Sequence, residues 1–438
     1  MRSTLGHIGL VVSLTLALTV LGTPGWLDHA PTDAPTDADL ASFEEPSSTP
    51  SPTSEPEPSP TSAPEPSPTG SPASSPANSP ASSPGPEPRT ATVVLSGDLL
   101  WHDTVWLSAA VDADTHPGGA GKGQEFDFDP MFAALKPIIE QADLAVCHEE
   151  VPFAPPGGPY ESYPVFAAPP EIAPWIASMG WDLCTTSSNH AVDQGFEGLV
   201  RTADLLEQAG VGHVGTFRTA AERRQPVIFT TDQGVRIAVV GGTFSLNGFP
   251  MPEGRPWAVS MWNARNLIAQ ARAARRAGAD IVIVKYHGGS EYVAMPNAEQ
   301  VALAQKLTAS PYVDLVVGEH AHVVQPITKV NGKWVVYGMG NAIAQSESER
   351  SRAYEGITVS FTFREADPLA DRGFVVDHAE YVPTYWNHFV PSGRPIRIQR
   401  VVRALATGRG DQSRLLEALL ETRAAVDLLG HAKGLEER

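Results

Sequence analysis

The chain has 438 residues, 42% of them hydrophobic, with 50 acidic against 31 basic side chains and a formal net charge of −19. That length and apolar content support a large core and allow two or three domains. The acidity, with no basic stripe, argues against nucleic-acid binding and against adsorption to anionic lipid by charge alone, since both need clustered Lys and Arg.

The N-terminus carries one base, Arg2, and then an apolar run from Ile8 to Leu21 with no charge before Asp28. This is the layout of a secretory signal peptide. The run is shorter than the ~20 residues of a full span, but the uncharged stretch extends beyond it, so residues 1–27 are expected to form a signal peptide or an N-terminal membrane anchor. No cysteine follows to accept a lipid. Residues 28–89 are rich in Pro, Ser, Thr and Glu, and residues 1–88 hold ten acids against one base. Proline at this density forbids helix and leaves nothing to pack, so a disordered linker is expected. In polyproline form its Pro-rich part, residues 44–88, reaches roughly 140 Å at ~3.1 Å per residue. The protein is therefore expected outside the cytoplasm, secreted or tethered.

Globular composition begins at Thr90. Short β-branched runs are expected as strands at Thr92–Leu95, Leu144–Cys147, Leu183–Thr185, Val235–Val240, Ile281–Lys285, Leu315–Val317 and Trp334–Tyr337. Between them lie expected helices at Pro130–Gln141, Glu171–Met179, Gly195–Ala209, Trp262–Ala277 and Ala298–Thr308, two of them stopped by Gly210 and Gly278. Strands in alternation with helices predict an α/β or layered α/β/α domain. Gly356–Phe363 and Phe374–Val382 look like antiparallel strands, so the sheets are mixed. The main domain is placed at residues 90–390, followed by a C-terminal extension, 391–438, with a terminal helix at Leu415–Leu429. The two cysteines, Cys147 and Cys184, both end apolar runs and are expected as buried free thiols.

Nearly every expected strand runs into a polar cluster. The first leads to Gly97, Asp98 and His102, the second to His148, Glu149 and Glu150, the third to Ser188, Asn189 and His190. Later strands lead to His287 and Glu291, to Glu319, His320 and His322, and to Gly340 and Asn341. Ligands of open α/β sheets bind beyond the carboxyl ends of the strands, so these loops are expected to converge. Carboxylate and imidazole donors suit divalent zinc, manganese or iron, and a bridging aspartate suits two such ions ~4 Å apart.

His320-Ala321-His322 is the sharpest feature: in extended backbone, residues two apart face the same way, so both rings can reach one metal region. Asn189 can offer a carbonyl oxygen while His190 stays free as an acid for the leaving group, although Asn189 also suits a helix N-cap. Asp98 fits a metal contact or a turn. His102, four residues on, fits a surface histidine equally well. Glu149 and Glu150 are adjacent and face apart, so at most one enters the site. No Gly-x-Ser-x-Gly elbow, Walker loop or dinucleotide glycine pattern is present.

The ordered set Gly97-Asp98, His148 to Glu150, Asn189-His190 with Asp193 and Gly195, His287 with Glu291-Tyr292, Gly318-x-His320-x-His322 and Gly340-Asn341 resembles the bacterial capsule synthesis CapA family. The resemblance runs from about Thr90 to Asn341, more loosely to Trp386. It implies a metallophosphoesterase-like sandwich related to the calcineurin-like enzymes, and a part in poly-γ-glutamate capsule synthesis. It also implies a metal-ligand set of Asp98, His148, Glu150, Asn189, His287, His320 and His322 for one or two ions (Mn, Fe or Zn), with His190 and Asp98 in catalysis. His148 stands where many members have Asn. Two positions depart from the wider phosphoesterase pattern: the first motif lacks Asp-x-His, and Ala191 replaces an acid after the Asn-His pair. The expected function is that of a metal-dependent hydrolase-like protein acting on an anionic surface polymer or a phosphoester, with membrane synthase partners and no nucleic acid. The alternative is a non-catalytic, membrane-tethered accessory or polymer-binding protein on the same fold.

Overall fold

A computed structural model of the chain describes residues 87–115, 125–345, 350–366, 373–390 and 394–438. The expected signal or anchor segment, and all but the last few residues of the expected linker, lie outside the described residues.

Among the described residues the strands form two sheets, of nine and six strands. The first runs in spatial order Ile398–Arg400, Phe374–Trp386, Glu355–Glu365, Thr90–Leu99, Leu144–Glu149, Leu183–Thr185 and Gly212–Val214. Asn341–Ile343 also pairs with Thr90–Leu99, and Leu435–Glu437 with Phe374–Trp386. The second runs Ile228–Thr230, Arg236–Thr243, Ile281–His287, Leu315–Glu319, Lys333–Val336 and Ile327–Val330.

Side-chain alternation along these strands builds the layers. Val93, Leu95 and Val146 of the first sheet pack against Ile237, Ile283 and Val317 of the second, in one core between the sheets. The alternate residues Val94, Ala145 and Cys147 turn the other way, against Trp101, Phe132 and Trp175 on the helical side. Val240, Val282 and Val284 likewise turn outward from the second sheet to meet Leu267, Ala271 and Leu307 of its helices. The fold is therefore a layered α/β sandwich of two mixed sheets with flanking helices.

Both sheets have parallel centres. Thr90–Leu99, Leu144–Glu149 and Leu183–Thr185 run parallel in the first, and Arg236–Thr243, Ile281–His287 and Leu315–Glu319 in the second. Parallel strands deliver their carboxyl ends to one edge, which puts Asp98 beside His148 and His287 beside Glu319 in register. Glycine permits the close approaches there: a Cβ on Gly97 would lie 2.0 Å from the Gly340 carbonyl oxygen, and one on Gly318 2.1 Å from that of Tyr337.

Several local expectations change. Cys147 and Cys184 are not free thiols but form a disulfide. They sit opposite one another on neighbouring strands, with Cα atoms 4.5 Å apart, a relation that sequence spacing does not reveal. The expected helix Pro130–Gln141 is two short helices, Asp129–Phe132 and Lys136–Ile139, each with proline in its first turn. Pro137 supplies no N–H to a continuous ladder and instead starts the second piece. Asp103–Thr115 and Val401–Ala406 are helices that the apolar pattern did not announce. The C-terminal segment is built into the domain: Ile398–Arg400 and Leu435–Glu437 join the first sheet, and Leu415, Ala418 and Leu419 enter its helical core.

Candidate metal centre

Of the residues expected as ligands or in catalysis, the strand ends bring the seven ligands together and set His190 at their edge. Asp98, His148, Glu150, Asn189, His190, His287, His320 and His322 are all buried. Two groups of donor atoms, each within 4.8 Å of one another, emerge: Asp98, His148, His287 and Glu319, and Glu150, His320 and His322.

Hydrogen bonds fix which imidazole nitrogen faces inward. His148 Nδ1 lies 2.7 Å from Thr185 Oγ1 and 3.0 Å from a Glu319 oxygen, which leaves Nε2 turned toward Asp98 Oδ1 at 3.9 Å. His287 Nε2 lies 2.6 Å from Asn189 Oδ1, and its Nδ1 lies 4.0 Å from the same Asp98 oxygen. His322 Nδ1 lies 2.8 Å from Asn341 Oδ1 and 3.3 Å from Asp98 Oδ2, with Nε2 3.8 Å from Glu150. This is the usual way a second hydrogen bond orients a ligating imidazole.

The atoms left over meet in the middle. Asp98 Oδ1, His148 Nε2, His287 Nδ1 and both Glu150 oxygens are enclosed and have no hydrogen-bond partner. Buried polar atoms without partners are costly. Convergent lone pairs of two carboxylates and two imidazoles are the donor set that a divalent transition-metal ion satisfies, so the residues fit such an ion. Glu319 is committed elsewhere: one oxygen faces His148 at 3.0 Å and the other is ion-paired with the Lys285 ammonium at 2.6 Å, with both side chains fully buried.

Burial dominates the electrostatics. It holds His148 and His320 at about 3 and His287 well below the usual imidazole value, so all three rings offer lone pairs at neutral pH. Burial also lowers His322, but the Glu150 and Asp98 carboxylates outweigh it and push that ring up to about 10. Burial alone would raise Asp98; contact with His322, backed by His148 and His320, brings it below the ordinary aspartate value. Glu150 is raised by burial and by Asp98, and Glu319 rises to about 8 by burial, against the pull of Lys285.

His320 and His322 correct one expectation. They do not lie on extended backbone but have φ of 87° and 53°, in the left-handed region that non-glycine residues seldom occupy. The chain leaves the strand Leu315–Glu319 in a bend, and the His320 amide donates to Asp98 Oδ2 at 3.2 Å. The two rings still share the site, 5.8 Å apart, but strained backbone rather than strand alternation puts them there.

His190 stands at the edge of the cluster. Its Nδ1 lies 2.7 Å from Asp193 Oδ2, and the Asn247 amide nitrogen faces its ring at 3.4 Å. Asn189 caps no helix: the nearest one, Gly195–Gln208, starts after Gln194, and Asn189 donates to Asn247 at 3.0 Å. Glu149 turns away to accept from Trp101 Nε1 at 3.0 Å, while Glu150 enters. His102 packs edge-on against Phe166 and takes the Gln345 amide at 3.3 Å, outside the donor groups.

Sequence reasoning gave no role to Lys285, Asp193 or Asn247. Lys285 stood inside a strand, and its only signal was a charge within an apolar run. Asp193 lies three residues after His190, a spacing at which a turn lets the two meet.

The sandwich and its edge thus define a layered α/β protein with a buried, donor-rich centre at the carboxyl ends of both sheets. The chain belongs to the bacterial capsule synthesis protein family PGA_cap, which it matches over residues 92–346, more than half its length. The PGA biosynthesis protein CapA of Bacillus subtilis (strain 168) is 29% identical over 178 residues, covering 40% of this chain and 46% of that protein. The capsule biosynthesis protein CapA of Bacillus anthracis is 27% identical over 181 residues, covering 40% and 43%. The chain spans about half the length of the curated relatives it matches. A solved calcineurin-like phosphoesterase of Bacillus subtilis is similar at a TM-score of 0.41 and 15% identity, over 77% of this chain and 97% of that one. Such a likeness is too distant to inform the site, which stands on its own geometry.

Proposed function

We propose that this protein is an exported, metal-dependent, hydrolase-like member of its family that acts on an anionic cell-surface polymer such as poly-γ-glutamate, during its synthesis, export or trimming. One observation carries the reading: the unpartnered Asp98, His148, His287 and Glu150 atoms converge in a buried space. Asp98, His148 and His287 would hold one ion, and Glu150, His320 and His322 a second, with Asn189 fixing the His287 ring. Such an ion supplies Lewis-acid polarisation of a phosphoryl or acyl oxygen and makes water available as a nucleophile near neutral pH. His190 holds a proton at Nε2 for the leaving group, with Nδ1 braced by Asp193.

Export is supported by the apolar run Ile8–Leu21 and by the Cys147–Cys184 disulfide, because structural disulfides persist in oxidising compartments. Among the described residues no helix is long and apolar enough to cross a membrane. A membrane-bound synthase is the partner that an anchored form would serve.

The test uses full-length protein loaded with Mn, Fe or Zn and offered phosphoester and γ-glutamyl substrates. Hydrolysis that falls at least 100-fold in His190→Ala supports the reading. An unchanged rate in that variant sinks it.

A second reading, a non-catalytic accessory protein, is favoured by a different observation. Lys285 sits on Glu319 at 2.6 Å and His322 on Asp98 at 3.3 Å, so internal cations can balance these carboxylates without a metal. If Asp98→Asn leaves surface polymer intact while loss of the N-terminal segment abolishes it, this reading wins.

A further inference from the structure

The acidity of the whole chain conceals a local exception. Residues 394–414 hold six arginines and a single acid, Asp411, in a protein with 50 acids and 31 bases. Two of the six are spent on structure: Arg397 pairs with Asp112 at 2.6 Å, and Arg414 with Glu355. Arg400, Arg403 and Arg409 are not. They line a cavity of about 400 Å³ whose wall contains no carboxylate.

Each of the three is placed there by backbone. Arg400 ends the strand Ile398–Arg400, and its Nε is enclosed with no hydrogen-bond partner. Arg403 projects, exposed, from the helix Val401–Ala406. Arg409 rides on the turn after that helix, between Gly408 and Gly410 at φ 63° and 76°, with its amide tied to the Ala404 carbonyl at 2.9 Å. Among the described residues neither Arg403 nor Arg409 has an ion pair or a side-chain hydrogen bond. Glu380, the acid whose charge acts on Arg400, is already paired with Arg438 at 3.0 Å. Burial and then the charges of Arg438 and Arg403 lower the Arg400 value, with Glu380 opposing them as the smallest influence. The opposite wall, Pro130, Ala133 and Pro137, is apolar.

We propose that the cleft between Arg400, Arg403 and Arg409 and the Pro130–Pro137 wall is a second binding site, separate from the metal centre, that grips a carboxylate-rich chain. Guanidinium forks take carboxylates two oxygens at a time, and the apolar wall takes the methylene stems between them. The arginines lie beyond residue 346, where the family match ends, and none of the lining residues belongs to the metal centre. The choice of a polycarboxylate rests on the proposed function; the cationic cleft, lined by no carboxylate, does not. Such a site would hold a long polymer while the metal centre works on another part of it.

The test measures binding of a γ-linked glutamate oligomer to full-length protein by fluorescence anisotropy, at low and high salt, with a γ-linked glutamine oligomer as the neutral control. Arg403→Gln/Arg409→Gln changes only exposed side chains. This variant is expected to keep its thermal midpoint, its metal content and its turnover of a small phosphoester, yet to bind the acidic oligomer at least tenfold more weakly and with a flatter salt dependence. Affinity unchanged in the double variant overturns the proposal. So does wild-type affinity no greater for the acidic oligomer than for the neutral one. Affinity lost in Asp98→Asn but kept in the arginine variant also overturns it, since the polymer is then held at the metal centre. Affinity lost in the arginine variant, in a protein that hydrolyses nothing, supports the cleft and refutes only the hydrolase reading.

Discussion

His190 Nδ1 lies 2.7 Å from Asp193 Oδ2, and that same oxygen accepts the Phe166 amide at 2.8 Å. The carboxylate is thereby fixed by backbone, and it fixes in turn which nitrogen of His190 faces the centre. Asp193→Asn is expected to reduce turnover roughly 10–100-fold, the usual effect of losing an orienting partner, with metal content unchanged. Steady-state kinetics beside metal analysis checks this; a variant with normal turnover would remove Asp193 from the account.

Metal binding is expected to release protons. His148, His287 and His320 are neutral at pH 7 and surrender none, but His322, at about 10, carries a proton that an ion at Nε2 must displace. Apparent affinity should therefore rise with pH, about tenfold per unit for each displaced proton, and fall in acid. Calorimetry in buffers of different ionisation heat reads the release directly. Heats that do not depend on the buffer would contradict it.

Lys285 and Glu319 form a buried ion pair at 2.6 Å beside the centre. Removing only the cation, in Lys285→Met, strands the carboxyl and should cost roughly 3–5 kcal/mol in urea unfolding. The sign of the pH dependence follows from Glu319, whose value rises from 4.5 to about 8 on folding. Its contribution is fully present below 4.5 and is lost as pH rises through 8. Without Lys285 the carboxyl rises further, so the variant should lose more stability at pH 9 than at pH 5. The double variant Lys285→Met/Glu319→Gln should recover much of the loss.

The Cys147–Cys184 bond joins neighbouring strands across a sequence separation of 37. Replacing both cysteines with alanine should lower stability by about 2–4 kcal/mol. Equal midpoints for wild type and the double variant, under non-reducing conditions, would contradict a closed bond in solution.

Much of the fold and the site was legible in the sequence, for a physical reason. Parallel central strands are buried on both faces, so they appear as short apolar runs, and what they deliver appears as the polar residues that follow. Asp98, His148, His287 and His322 were visible that way. Gly212–Val214 and Asn341–Ile343 were not legible, because three residues show no period and each strand opens on a residue type, Gly or Asn, that marks a turn. Pairings across the fold were invisible. Cys147 with Cys184, Lys285 with Glu319 and Arg218 with Glu207 each join residues whose relation exists only once strands and helices are placed. The left-handed backbone of His320 and His322 was also hidden, because a histidine does not by itself announce a positive φ.

Element analysis of the purified full-length protein, beside His287→Ala, bears most directly on the central claim that the strand-end cluster is a metal centre. Wild type, offered Mn, Fe and Zn in excess and then dialysed, should retain roughly one or two equivalents of a divalent transition metal. His287→Ala, which removes a ring of the Asp98 group that also lies 3.6 Å from Glu150 of the other, should keep less than half of that while remaining folded. A wild-type protein that retains none, or a variant that retains as much as wild type, would contradict the claim.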